Sequence, residues 1–169
     1  LAHTTVLRID RERQVLVVEG PGGPAEQPYG ALVLAVGAAP IRLPLQGDAA
    51  AVHAVNHLTD YATWRQALAD QTKPGDAVAV LGAGLIGVEF ADDLLRAGLV
   101  PHVFDLATQP LGRLLPLEPA VHLRDRLQAA GVVWHLGDPV VAVQRQDTGL
   151  QLTTHLGEVV VVQAALSAV

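Results

Sequence analysis

The stretch AVAVLGAGLIGVEFADDLL places Gly82, Gly84 and Gly87 in a G-x-G-x-x-G spacing, directly after an apolar strand-like run and at the head of a helix-like one. Each glycine position answers a separate physical need. Gly82 allows the tight turn off the strand, Gly84 lacks a Cβ so that a pyrophosphate can approach the backbone, and Gly87 lets helix and strand pack closely. Backbone amides of the loop and helix start, from Ala83 through Leu85 and Ile86, then offer a cradle for phosphates, reinforced by the helix dipole. Asp105 follows Gly82 by 23 positions and ends the second strand-like run. A carboxylate there accepts both hydroxyls of an adenine ribose and repels a 2′-phosphate, which arginine would favour. No Lys or Arg occupies residues 106–112, and Arg113 is the nearest residue that weakens the preference. The pattern reads as an NAD(H) site that selects NADH over NADPH. Glu89, one turn into the helix, lies close to where a dinucleotide would run. The plainer alternatives are helix packing for the glycines, a strand end beside a turn for Asp105, and a solvated helix carboxylate for Glu89.

Other candidates carry less chemistry. His53 and His57 are four apart, but their flanking residues do not make a helix that would aim both rings at one metal. Asp92 and Asp93 sit mid-helix beside Leu94 and Leu95, a poor setting for general acid or base work. No residue reads as an acid, base or nucleophile, so no catalytic side chain is assigned and no metal site is expected. Composition narrows the field further. A formal charge of −6 and 4% aromatic residues give neither the electrostatic footprint nor the stacking platform of a nucleic-acid binder. No apolar run reaches the roughly 20 residues of a membrane span, and no signal-peptide pattern opens the chain, so a cytoplasmic location is expected. With no cysteine in its 169 residues, the chain has no disulfide framework, zinc–thiolate site or dithiol of its own, and redox chemistry must come from a cofactor.

The elements that must position these residues can be read from periodicity and turn signals. Residues 5–9 and 14–18 read as a hairpin about a polar turn, and 19–30 as an irregular Gly/Pro-rich loop. The apolar run 31–36 reads as a strand buried on both faces, followed by a connector over 38–48. Tyr61, Trp64 and Leu68 recur at helical spacing in 59–71, behind a Thr59 cap. Strand 77–81, helix 85–97, strand 102–105, helix 119–130 and strand 132–136 then alternate. That order implies right-handed βαβ units and a parallel sheet with helices on both faces. Three short strands, 140–145, 150–155 and 158–162, form a β-meander crossover, after which 164–169 returns to the parallel sheet. The fold class is therefore α/β and Rossmann-like.

The front of the chain echoes its back: VLRIDRERQVLVVEG before ALVLAVG has the same order as VAVQRQDTGLQLTTHLG before AALSAV. Residues 1–47 accordingly read as a remnant of one domain and 48–169 as a Rossmann-like NAD(H)-binding domain. A start at Leu1 in place of Met, and an end at Val169 inside an apolar run, read as a piece of a longer protein. Arg-rich, Lys-poor usage with abundant Ala, Gly and Pro suggests a GC-rich bacterial genome.

Four segments together resemble the FAD- and NAD(P)-linked pyridine nucleotide oxidoreductases, in particular their rubredoxin and ferredoxin reductase branch. They are YGALVLAVGAAPIRLPLQG, VAVLGAGLIGVEFADDL, PLGRLLP and AALSAV. The resemblance implies two related dinucleotide folds, with the NAD domain inserted in the FAD domain, and so identifies residues 1–47 as a remnant of the FAD-binding domain. It places the glycine loop and the Gly-Asp motif that hold FAD outside residues 1–169, so this stretch alone is not expected to bind FAD tightly. Val36 stands where the family usually has Thr. Absence of a CxxC between Gly37 and Gly82 disfavours the thioredoxin reductase branch. The function so implied is hydride transfer from NADH to FAD, and onward delivery of electrons to a carrier protein of the rubredoxin or ferredoxin type. Two other readings stand beside it: an S-adenosylmethionine-dependent methyltransferase domain, and a non-catalytic NAD-sensing regulatory module.

Overall fold

A computed structural model describes residues 1–169. Its contacts divide the chain after Gly37, into Leu1–Gly37 and Ala38–Val169. Residues 38–47 thus fall in the second unit, where β4 (Gln46–Gly47) pairs in parallel with Ala142 and Val143.

In the first unit, β1 (Thr5–Asp10), β2 (Val15–Gly20) and β3 (Gly23–Pro28) form an antiparallel sheet in that order. The Asp10 carboxylate accepts the Arg13 N–H at 3.0 Å and closes the polar turn of the expected hairpin. The third strand was not expected. Its two prolines, Pro24 and Pro28, sit on the strand at the edge of the sheet, where a missing N–H costs little. Arg13 reaches across to Glu26 with two hydrogen bonds, at 2.9 and 2.7 Å. The run 31–36 is not the buried strand its composition suggested: it pairs with no strand, and Val33 and Val36 are 85% and 89% exposed. Apolar content describes a residue's readiness to be buried, while a strand also needs a neighbouring edge, which a local pattern does not supply.

The second unit adds a strand the sequence reading did not assign, β5 (Val52–Ala54), and then alternates as read: α1 (Leu58–Gln71), β6 (Ala77–Leu81), α2 (Leu85–Arg96), β7 (Val100–Asp105), α3 (Leu117–Ala130) and β8 (Val133–Leu136). The meander is β9 (Val140–Gln146), β10 (Gly149–Thr154) and β11 (Val159–Val162), and β12 (Ala164–Ser167) returns to the sheet. The parallel sheet has the order β5-β12-β6-β7-β8. From β5 through β8 every crossover steps the same way along the sheet, so right-handed connections put α1, α2 and α3 on one face. The step back from β8 to β12 puts the meander on the other.

Two cores show this division. Val78, Val80, Val103 and Leu166 pack with Trp64 of α1 and Ala91 and Leu94 of α2. Their alternate neighbours Ala79, Leu81, Phe104 and Ala165 pack with Val143, Leu152 and Val162 of the meander. Both faces are covered, but the second layer is the meander and not the further helices expected. The start of α1 also differs: the N-cap is His57, not Thr59. The Asp60 carboxylate accepts the backbone N–H groups of Asn56 (3.1 Å) and His57 (2.9 Å), which settles the helix start one turn back from Asp60.

Candidate functional site

The glycine loop lies where β6 runs into α2, at the carboxyl end of the parallel sheet, which is where open α/β sheets bind ligands. Gly82 has φ of +119°, a conformation side chains oppose, and its N–H donates to the Phe104 carbonyl at 2.8 Å, closing β6 onto β7. Gly87 is buried, and a Cβ there would run into the Gly82 carbonyl oxygen. These two glycines are thus required by the protein's own backbone.

Gly84 is different. It is the N-cap of α2 with ordinary extended dihedrals (φ −76°, ψ −170°), and a Cβ built on it meets no atom within 4 Å. Neither strain nor internal packing accounts for a glycine there. Open space in front of the loop is what an approaching phosphate needs.

Val88 is the residue whose N–H reaches back to Gly84, at 3.0 Å. The amides of Leu85, Ile86 and Gly87 lie ahead of the first helical bond and are available to an anion. Leu85 and Ile86 are exposed, with their side chains flanking the loop mouth. Ala83, grouped with these donors in the sequence reading, faces the other way: its N–H donates to Asp105 Oδ2 at 2.5 Å, and its carbonyl accepts the Leu111 N–H at 2.8 Å.

Asp105, half-buried at the end of β7, also accepts the Ala107 N–H on Oδ1 at 2.7 Å. Each carboxylate oxygen keeps a further acceptor site for a ribose hydroxyl. Glu89 is exposed one turn into α2, and its carboxylate has no hydrogen-bond or ion-pair partner in the chain. Arg113 is exposed and lines, with Leu106, Ala107 and Thr108, an open hollow of about 500 Å³ after β7. A small cleft of about 90 Å³ adjoins Gly82 and Asp105 between Phe104, Pro139 and Val140. The hollow between α1 and α2, about 480 Å³, is lined by Thr72, Pro74 and Leu99, at the opposite end of the strands from Gly82.

Sequence reasoning overlooked several further contacts. Leu111, in the PLGRLLP segment and with φ of +53°, holds the Ala83 carbonyl. The scattered histidines also conceal a chain: His102 Nδ1 and His135 Nε2 are 3.1 Å apart, and His135 Nδ1 meets Glu158 Oε2 at 3.0 Å. The His135 ring lies flat on Phe104, centroids 4.2 Å apart. Burial, then the neighbouring His135, holds His102 below the ordinary histidine range against the pull of Glu158. A spacing of 33 residues on adjacent strands gives no local signal. His53 packs at 5.3 Å from the Trp64 ring, while His57 caps α1, so the two do not form a common site.

The family model for pyridine nucleotide-disulphide oxidoreductases matches residues 1–169. A rubredoxin-NAD(+) reductase of Acinetobacter baylyi is 40% identical over 172 residues, covering 100% of this chain and 43% of that protein. A nitric oxide reductase FlRd-NAD(+) reductase of Aliivibrio fischeri is 32% identical, covering 98% of this chain and 42% of that protein. Among solved structures, the ferredoxin reductase for the CYP199A2 system of Rhodopseudomonas palustris superposes with a TM-score of 0.80 at 27% identity, covering 98% of this chain and 40% of that one. The chain thus spans less than half the length of the relatives it matches.

Proposed function

Because the chain belongs to the pyridine nucleotide-disulphide oxidoreductase family, we propose that it carries the NADH-binding domain of a flavin-dependent reductase. Residues 1–47 would be part of the FAD-binding domain and 48–169 the NAD(H)-binding domain, with 38–47 as a connector that packs on the latter. The observation that carries the reading is Gly84: a glycine that nothing within the protein requires, opening onto the free amides at the head of α2.

In this reading Leu85, Ile86 and the glycine loop bind the pyrophosphate, Asp105 receives the adenine ribose hydroxyls, and Glu89 lies close to the path of the dinucleotide. A bound NADH would supply a hydride, and a flavin held by the FAD-binding domain would supply the group that accepts it. The chain's own residues bind and orient, and none needs to act as acid or base. The names of the relatives favour an electron carrier of the rubredoxin or ferredoxin type as the onward acceptor. No helix is long and apolar enough to cross a membrane, and a cytoplasmic bacterial enzyme fits this reading. The methyltransferase and NAD-sensing alternatives find no support among the relatives.

The test is the rate of flavin bleaching on mixing the flavin-loaded parent protein with NADH. Rapid bleaching that Gly84→Asp abolishes supports the assignment. Equal rates in both proteins would contradict it.

A further inference from the structure

Asp105 does more in this structure than stand ready for a ribose. Its two oxygens are both engaged by backbone donors, Oδ2 by Ala83 of the glycine loop and Oδ1 by Ala107 of the loop after β7. Ala83 is held from its other side too, by the Leu111 N–H on its carbonyl. Ala83, between Gly82 and Gly84, is therefore gripped at both its backbone N–H and its backbone carbonyl by the segment 105–111. Ala83 itself is 2% exposed and Asp105 is half-buried, so water competes poorly for these contacts.

From this geometry we infer that Asp105 is a positioning residue for the phosphate cradle as well as the reader of the ribose. Glycine-rich loops have many accessible backbone conformations, and the entropy of fixing one is a cost at each binding event unless the loop is fixed beforehand. The carboxylate, tied to Ala83, fixes it in the free protein and leaves Gly84 facing open space. The same contact couples the two halves of the site: whatever moves the ribose reader also moves the pyrophosphate loop.

A consequence concerns cofactor choice. Removing the carboxylate lifts its repulsion of a 2′-phosphate, but also releases the loop that both cofactors need. Asp105→Ala should therefore lose more affinity for NADH than it gains for NADPH.

The inference rests on the NADH-site reading, and its test separates the two. Amide hydrogen exchange without any nucleotide reads the tie directly. In Asp105→Ala the amides of Ala83 and Ala107 should exchange roughly tenfold faster, as the loss of a charge-assisted hydrogen bond implies, while amides within β6 and β7 keep their protection. Asp105→Asn has one acceptor oxygen in place of two and should leave one of the two amides protected, so that variant decides if the alanine protein does not fold. Affinity is then compared for NADH and for an NADH analogue lacking both adenine-ribose hydroxyls. A positioning role predicts that Asp105→Ala weakens the analogue as well, by several-fold. Unchanged exchange at Ala83, or unchanged affinity for the analogue alongside a large loss for NADH, would reduce Asp105 to a ribose contact and overturn the inference. Failure of the wild-type protein to bind either nucleotide would overturn the NADH reading, and the exchange data would still decide the tie.

Discussion

Gly84 and Gly87 stand three residues apart and answer to different constraints, so adding a side chain should have opposite consequences for stability at the two. At Gly84 the backbone is extended and caps α2, a position where Asp is among the preferred residues. Gly84→Asp should therefore melt at or slightly above the temperature of the wild type while losing NADH binding, because its carboxylate would occupy the space proposed for the pyrophosphate and repel it. Calorimetric titration paired with a thermal melt checks both halves. At Gly87 a Cβ would meet the Gly82 carbonyl oxygen. Gly87→Ala should cost about 1–3 kcal/mol in denaturant unfolding, as overpacking does, whether or not cofactor is present. The glycine spacing was legible from the sequence because it is local. The turning of the Ala83 amide toward Asp105 was not, since it depends on a contact 22 residues away.

The alternation of strands and helices was legible for a similar reason: each segment from β6 to β8 carries its own periodicity and its own terminator, such as Gly131 in the left-handed conformation at the end of α3. What failed was pairing and layering. β3 exists because β2 has a free edge for it, despite its prolines, and 31–36 is not a strand because no edge adjoins it. The layer opposite the helices follows from the direction of the β8-to-β12 step, which is a property of strand order and not of any residue pattern. The helix layer hangs on Trp64, 1% exposed, in the core formed with Val78, Val80 and Leu166. Trp64→Ala should destabilise the second unit by about 3–5 kcal/mol, read from denaturant unfolding of the protein.

For the molecule as a whole, two histidines should weaken the fold as pH falls into the mildly acid range. Burial, then Arg145, lowers His53, and burial, then His135, lowers His102, both from the ordinary value of 6.5. A group that holds its proton less tightly when folded favours the unfolded state as protons are added. Their contribution is fully present above pH 6.5 and declines as pH falls from there toward the folded values. Asp60, lowered by backbone hydrogen bonds from His57 and Asn56, begins to withdraw its contribution only as pH falls through the ordinary 3.8. Denaturation midpoints across this range should therefore fall in two stages, and His102→Gln should shrink the first. At the same scale lies the central claim, that this chain presents an NADH site. Parallel calorimetric titrations with NADH, NADPH and S-adenosylmethionine test it most directly. The account predicts binding of NADH in preference to NADPH and none of S-adenosylmethionine. Binding of S-adenosylmethionine, or of NADPH more tightly than NADH, would contradict it.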